Sequence, residues 1–393
     1  MVPMRAATRP GQVLPILGAA VLALAPSAGA DPARVAPLSL GGEASASIAP
    51  KDRGYFNDHE YGRGALRLMR VRLTAEWRIR QTVAALGELR YENGDHPRLY
   101  GLYVRVRPWT NGPLDLQAGQ VPQLFGGYSR RSYPAENALI GEPLAYQYLT
   151  SMRADAAPAT ADDLLRMRAR GWRTRYPLGS TDAAAGLATV NTQRWDVGVQ
   201  VRLSGRHFET AVGVTKGTLG NPRVNDDNNG KNVTLRGAWR PKVGLALGVS
   251  AAQGRYLDRA LEESLGRPRQ RAIGADAEYA LGRTVVRTEW MRFAWRATFA
   301  DYDLPGWSGL VEARVKVLPG LTAAARADRI AFDRIDAPRG LTAWEYAVSR
   351  IEVGASFAPF RHVILKAEWQ YNERDGGAVR HQSFVAAQAL IWF

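Results

Sequence analysis

The chain is 393 residues long, 46% hydrophobic and 23% charged, with 11 tryptophans, 15 tyrosines and a formal net charge of +15. It has no cysteine and only five histidines, which removes the disulfide route to stability and leaves no Cys/His zinc spacing. Beyond the first thirty residues no stretch approaches the ~18 to 20 uninterrupted apolar residues of a membrane-spanning helix, so any entry into a membrane must be made by strands.

The N-terminus has the three parts of a secretory leader: basic Arg5 and Arg9, an apolar run from Val13 to Ala25, and the small-residue site Ala28-Gly29-Ala30. The mature chain is expected to begin near Asp31, with a net charge of about +13 once Arg5 and Arg9 leave. The excess is almost all arginine. Such a balance suits nucleic acid, lipopolysaccharide phosphates or an anion-conducting lumen, and an exported chain does not normally meet nucleic acid.

Strand signals follow. In Met69 to Ile79 one face reads Met69, Val71, Leu73, Ala75, Trp77, Ile79 and the other Arg70, Arg72, Thr74, Glu76, Arg78, a strict period of two. The alternation returns in Trp195 to Leu203, Leu310 to Val317, Ile351 to Phe357 and Val363 to Tyr371. Such runs predict strands over 38–50, 65–78, 82–91, 99–108, 114–125, 194–204, 207–215 and 232–240. A second set falls over 245–254, 271–280, 284–296, 309–317, 321–331, 342–357, 362–371 and 382–393, about sixteen in all.

Every second link is short: Arg80-Gln81, Trp109 to Pro113, Gly205-Arg206, Pro241 to Gly244, Leu281 to Arg283, Leu318 to Gly320 and Ala358 to Arg361. Longer polar links fill 51–64, 126–193, 216–231, 255–270, 297–308, 332–341 and 372–381. Short periplasmic turns and long outside loops are what a transmembrane antiparallel β-barrel shows. The expected fold is therefore all-β, with residues 31–393 forming an outer-membrane barrel. The last strand places Val385, Ala387, Ala389, Ile391 and Phe393 on one face. A terminal strand of this kind resembles the assembly signal of bacterial outer-membrane proteins, which implies the outer-membrane assembly machinery as a partner.

Residues 126–193 are far longer than an ordinary structureless link and form the third outside loop. In that position the loop resembles the inward-folded constriction loop of general bacterial porins, which implies that it constricts or plugs the lumen. It holds a helix signal, Thr160 to Gly171, with Thr160 as N-cap, Asp162 and Asp163 in the first turn, and Gly171 at the left-handed cap. Arg166 and Arg170 share one face there, with Arg168 beside them and Arg173 and Arg175 beyond. Two readings stay open: a helix held in the pore that presents guanidinium groups to solute, or a solvated helix over the mouth.

A charge on the lipid face near mid-height costs about 2–4 kcal/mol, which turns Arg70, Arg72, Arg105, Arg107, Arg202, Arg236, Arg314, Lys316, Arg326 and Lys366 into the lumen. Glu76, Glu88, Glu289, Glu312 and Glu368 share those inward faces. A sixteen-stranded barrel encloses more space than its side chains fill, and an arginine lining favours anions. The competing reading makes these residues structural Arg–Glu pairs.

The segment Gly119-Gln-Val-Pro-Gln-Leu-Phe-Gly126 and the strand plan resemble the phosphate-selective porin O and P group. The resemblance implies a sixteen-stranded homotrimer, although arginine stands here where that group would use lysine clusters. The expected function is passive diffusion of small hydrophilic solutes, with membrane lipid and lipopolysaccharide around the barrel. The alternative is a non-conducting adhesin or binding barrel with a plugged lumen.

The spacing of His381-Gln-Ser383 resembles the base and nucleophile of outer-membrane phospholipase. The Asn-Gly that follows in that family is replaced by Phe384 and Val385, so no catalytic residue is assigned. The turn Asn225 to Gly230 lacks EF-hand spacing, and neither a metal nor another cofactor is expected.

Overall fold

The computed structural model describes residues 34–35 and 38–393, apart from 60–62, 110, 226–227 and 339. The expected leader lies outside the described residues, and the turn Asn225 to Gly230 lies partly outside them. Strands β1 to β8 run Leu38–Ile48, Met69–Arg80, Val83–Glu92, Arg98–Val106, Leu114–Val121, Asp196–Ser204, Phe208–Thr215 and Asn232–Lys242. Strands β9 to β16 run Leu245–Arg255, Arg269–Leu281, Thr284–Arg296, Asp303–Leu318, Leu321–Phe332, Val348–Phe360, Val363–Arg374 and His381–Trp392.

Each strand pairs antiparallel with its chain neighbours, and β1 also pairs with β16, from Glu43 opposite Trp392 to Ile48 opposite Ala387. The two-residue stub Arg34–Val35 folds back on β1 outside this circuit. Closure leaves no row of edge amides for lipid to strand. At the seam Phe393 exchanges backbone hydrogen bonds with Gly42, 3.0 and 3.1 Å. Its ring occupies the space a Cβ at Gly42 would need.

The faces follow from the pleat. In β15 Leu365, Ala367 and Trp369 point outward and are exposed, while Lys366, Glu368, Gln370 and Asn372 point inward and are buried. The same division runs around the wall, with Leu73, Val104, Val201, Leu235, Val249, Ile273, Val311, Val353 and Val385 among the outward side chains. Such a continuous apolar band suits an apolar solvent. Exposed Trp77, Trp109, Phe208, Trp239, Tyr279, Phe357 and Phe360 gather at the short-turn end, where a bilayer interface holds aromatic rings. Arginine at Val249, 62% exposed within β9, is expected to cost about 2–4 kcal/mol in lipid-vesicle folding titrations. Unchanged stability would show that this face does not meet lipid.

The sixteen strands match the expected segments, with boundary shifts that have local causes. The second strand starts at Met69 because Ala65–Arg67 form a 3-10 turn, and β5 stops at Val121, before Pro122, which has no N–H for the ladder. β12 begins at Asp303, six residues before the expected start, and shortens the loop there to 297–302. Residues 342–343 pair with 334–335 in a separate hairpin, so β14 begins at Val348. One long-end link breaks the pattern of length: residues 93–97 join β3 to β4, turning through Asn93 and Gly94 with φ of 48° and 88°.

Candidate permeation path

The third loop leaves β5 at the long-loop end and turns into the barrel at Gly126, φ 77°, whose N–H donates to Ser250 Oγ at 3.1 Å. From residue 137 to residue 153 every side chain is buried. A buried segment without strand or long helix must find partners for its backbone elsewhere. The inward face of the wall supplies them.

Glu289 accepts from the N–H groups of Gly127 and Tyr128, 3.1 and 3.0 Å, and from the Tyr146 hydroxyl. Glu368 accepts from Ile140 and Gly141, and Asp328 from Leu144. Arg326 donates to the Gly141 carbonyl at 2.6 Å, Arg350 to those of Glu142 and Phe56 at 2.8 and 2.7 Å, and Lys366 to that of Pro134 at 2.7 Å. Gly141 sits so close to this wall that a Cβ would lie 1.9 Å from Glu352 Oε1. Burial pushes the Glu142 carboxyl above its ordinary range, against the pull of Arg70 and the Gln193 amide that donates to it.

Above this waist the loop forms an apolar core with the upper strand ends. Phe56, Tyr146, Leu164, Tyr256, Trp295, Phe332 and Trp344 belong to it, with the Phe332 and Trp344 rings 4.7 Å apart. The long loop is thus a folded body inside the outer half of the barrel, carrying two short helices, α1 Leu144–Gln147 and α2 Ala161–Arg166.

All ten expected lumen residues point inward, but they separate into two groups. Arg70, Arg236, Arg326 and Lys366 are buried. Arg70 bonds Glu92 and Gln193, and Arg236 bonds Asp276 and Ser250. Arg326 lies between Glu352 and Glu312, 2.5 and 3.3 Å away. Arg72 is half-buried, near Glu43 and Glu88, with its guanidinium 3.9 Å from the Tyr133 ring centre of the loop. Arg70, Arg72, Arg326 and Lys366 hold the loop to the wall, whereas Arg236 ties wall strands to one another.

Arg105, Arg107, Arg202, Arg314 and Lys316 instead remain accessible in the short-turn half. Two cavities open there. One, of about 550 Å3, is lined by Arg283, Arg314, Lys316 and the loop residue Glu136; the other, of about 510 Å3, by Glu76, Arg78, Arg80, Arg105 and Arg107. The wall carboxylates in this half are already matched. Glu76 pairs with Arg78 and Arg105, Asp115 with Arg107, Glu209 with Arg130 and Arg240, and Glu278 with Arg131 and Arg287. Among the described residues Arg202, Arg314 and Lys316 have no carboxylate at ion-pair distance. Against Glu136, which among the described residues is the one acid there without an ion pair, the half keeps a positive excess.

The helix expected over 160–171 is shorter. Thr160 caps it as expected, its hydroxyl accepting from Asp163 N–H and the Asp163 carboxylate accepting from Thr160 N–H. It ends at Arg166, however, and the left-handed residue is Ala169, φ 57°, rather than Gly171. Glu345 accepts the Ala169 N–H at 2.7 Å while Arg168 reaches the Ala343 carbonyl, and these tertiary bonds draw the chain out of the helix. Gly171 serves close approach, since a Cβ would sit 1.9 Å from the Leu149 carbonyl. Leu164 is buried in the core, Asp162 is exposed, and Asp163 pairs with Arg166. Arg166, Arg168, Arg170, Arg173 and Arg175 line a cavity on the outer side of the loop.

Sequence reasoning missed Arg350, Arg287 and Arg90, although the alternation Arg350-Ile351-Glu352-Val353 already turns Arg350 inward. The loop tyrosines 128, 133 and 146 had no pattern to mark them. His381 and Ser383 stand exposed on the outward wall, opposite Glu373 and Tyr371.

The fold is that of the bacterial outer-membrane porins. The chain is similar to OmpF of Salmonella typhi, solved with daunomycin, at 12% identity over 91% of this chain and 97% of that one, TM-score 0.58. It is also similar to the anion-selective porin from Comamonas acidovorans, at 14% identity over 90% and 98% of the two chains, TM-score 0.55. The outer-membrane channel DcaP of Acinetobacter baumannii matches at 11% identity over 92% and 99%, TM-score 0.54. No protein-family model and no curated protein sequence matches the chain.

Proposed function

We propose that the protein is an outer-membrane channel for small hydrophilic solutes with a preference for anions. Residues 1–30 act as the export leader and 31–393 as the barrel, inserted through its terminal strand by the assembly machinery and surrounded by lipid and lipopolysaccharide. The loop 126–193 narrows the path. The observation that carries the anion preference is the trio Arg202, Arg314 and Lys316, accessible and without carboxylate partners in a vestibule whose wall acids are already paired. A water-filled, low-dielectric passage focuses such a field on passing ions.

Likeness to the phosphate-selective porin O and P group supports a homotrimer as the assembly, while arginine in place of that group's lysine clusters leaves the particular anion unassigned. The Comamonas acidovorans protein is described as anion-selective, which agrees with the same reading. The unbroken buried run 137–153 favours a second reading, a binding barrel closed by its own loop. Neither reading assigns His381 or Ser383 a reaction.

Planar-bilayer recording of the purified protein in a potassium chloride gradient separates them. The expected result is stepwise current with a reversal potential of the sign set by chloride. Absence of steps would leave the closed binding barrel, and a cation-signed potential would remove the anion preference alone.

A further inference from the structure

The outer side of the third loop holds a cavity of about 720 Å3 between the turn after α2 and the loops that follow β1, β13 and β15, with Tyr346 at its edge. Arg53, Arg166, Arg170, Arg173 and Arg175 line it and are exposed. Arg166 pairs with Asp163; the other four have no carboxylate partner among the described residues, and no carboxylate lines the cavity.

Two further arginines line it while spending their hydrogen bonds on neutral groups. Arg374, buried, donates to the carbonyls of Gly54, Gly376 and Val379 at 3.2, 3.1 and 2.8 Å. Arg168 donates to the Ala343 carbonyl at 3.0 Å and lies 4.4 Å from the Tyr346 ring centre. Among the described residues neither has a carboxylate at ion-pair distance, and Glu345 acts on Arg374 only through space. Glu345 beneath them is already committed to Ser151, Ala169 and Tyr346. Tyr55 and Trp172, stacked 3.7 Å apart, complete an aromatic side of the cavity.

At the waist Arg326 is given two carboxylates. The outer cavity does the reverse. Guanidinium groups gathered around one space repel one another, and an anion among them removes that cost while taking paired N–H bonds from planar forks. The volume lies in the ~300–1,000 Å3 range of small-molecule sites, far more than one phosphate ion fills.

We infer that this cavity is a binding site for an oligoanion, a small solute carrying two or more phosphate or carboxylate groups. Its arginines belong to the inner loop and the mouth loops rather than to the outward wall, which favours a free solute over a lipid headgroup. The site requires no conduction and stands apart from the vestibule at the opposite end.

The test is calorimetric titration of the detergent-solubilised full chain with inorganic tripolyphosphate and with adenosine triphosphate, at low and high salt, beside the variant Arg170→Gln/Arg173→Gln/Arg175→Gln. These side chains are exposed, and retained heat-modifiable gel mobility checks that the variant barrel is folded. One saturable event, weakened by salt and by roughly tenfold or more in the variant, is expected. No saturable binding at low salt, or equal binding by the folded variant, would overturn the site. Binding of lipopolysaccharide micelles without either free phosphate compound would overturn the free-solute assignment.

Discussion

Arg326→Met is expected to loosen the third loop from the wall and to raise single-channel conductance, with new protease cleavage inside residues 137–153. Arg326 is fully buried, and it joins three things at once: Glu352, Glu312 and the Gly141 carbonyl of the loop. Removing one member of a buried ion pair leaves an uncompensated charge and costs about 3–5 kcal/mol, several times the worth of an exposed pair. Glu312 keeps Arg287, so most of the strain falls on Glu352 beside Gly141. The barrel ladder does not pass through this side chain, so the circuit of strands should survive. Adding Glu352→Gln to the same chain removes the orphaned charge and should restore much of the protection of the loop. Conductance and cleavage equal to the wild type in Arg326→Met would mean that the loop is held by its apolar core alone.

The second large effect concerns selectivity. Arg202→Gln/Arg314→Gln/Lys316→Gln should move the reversal potential toward zero, most strongly at low ionic strength. A unit charge acts on an ion ~7 Å away with about 0.6 kcal/mol in a water-like dielectric, so three unpaired charges bias the local anion concentration several-fold even after screening. Arg240→Gln is the matched control, because Glu209 keeps Arg130 and the vestibule loses a charge that was already shared. A control as damaging as the triple variant would mean that total charge, not unpaired charge, sets the preference.

Both predictions depend on a distinction that alternation alone does not draw. Period two places Arg202 and Arg326 on the same inward side of the wall. It does not say that Arg326 meets two carboxylates and a loop carbonyl while Arg202 bonds Gln200 and, among the described residues, no carboxylate. The division arises because residues 137–153 fill one level of the lumen and leave the short-turn half open. The helix illustrates the same limit, since Thr160 and Asp163 cap it as their spacing predicts, whereas its end is set by Glu345 and Ala343 from another loop.

By itself the sequence determined the closed sixteen-strand plan, the inward and outward faces, the sorting of links by length and the place of the long third loop. These follow from short-range rules: side chains alternate across a strand, charge avoids lipid, and short links require adjacent antiparallel strands. Only the tertiary structure decided which inward arginines are sealed against the loop, which stand unpaired in the vestibule, and that five of the loop arginines gather at the outer cavity. Those outcomes rest on contacts between residues separated by as many as several strands, such as Arg350 with the carbonyls of Glu142 and Phe56, and no local periodicity encodes which distant carbonyl a guanidinium will meet.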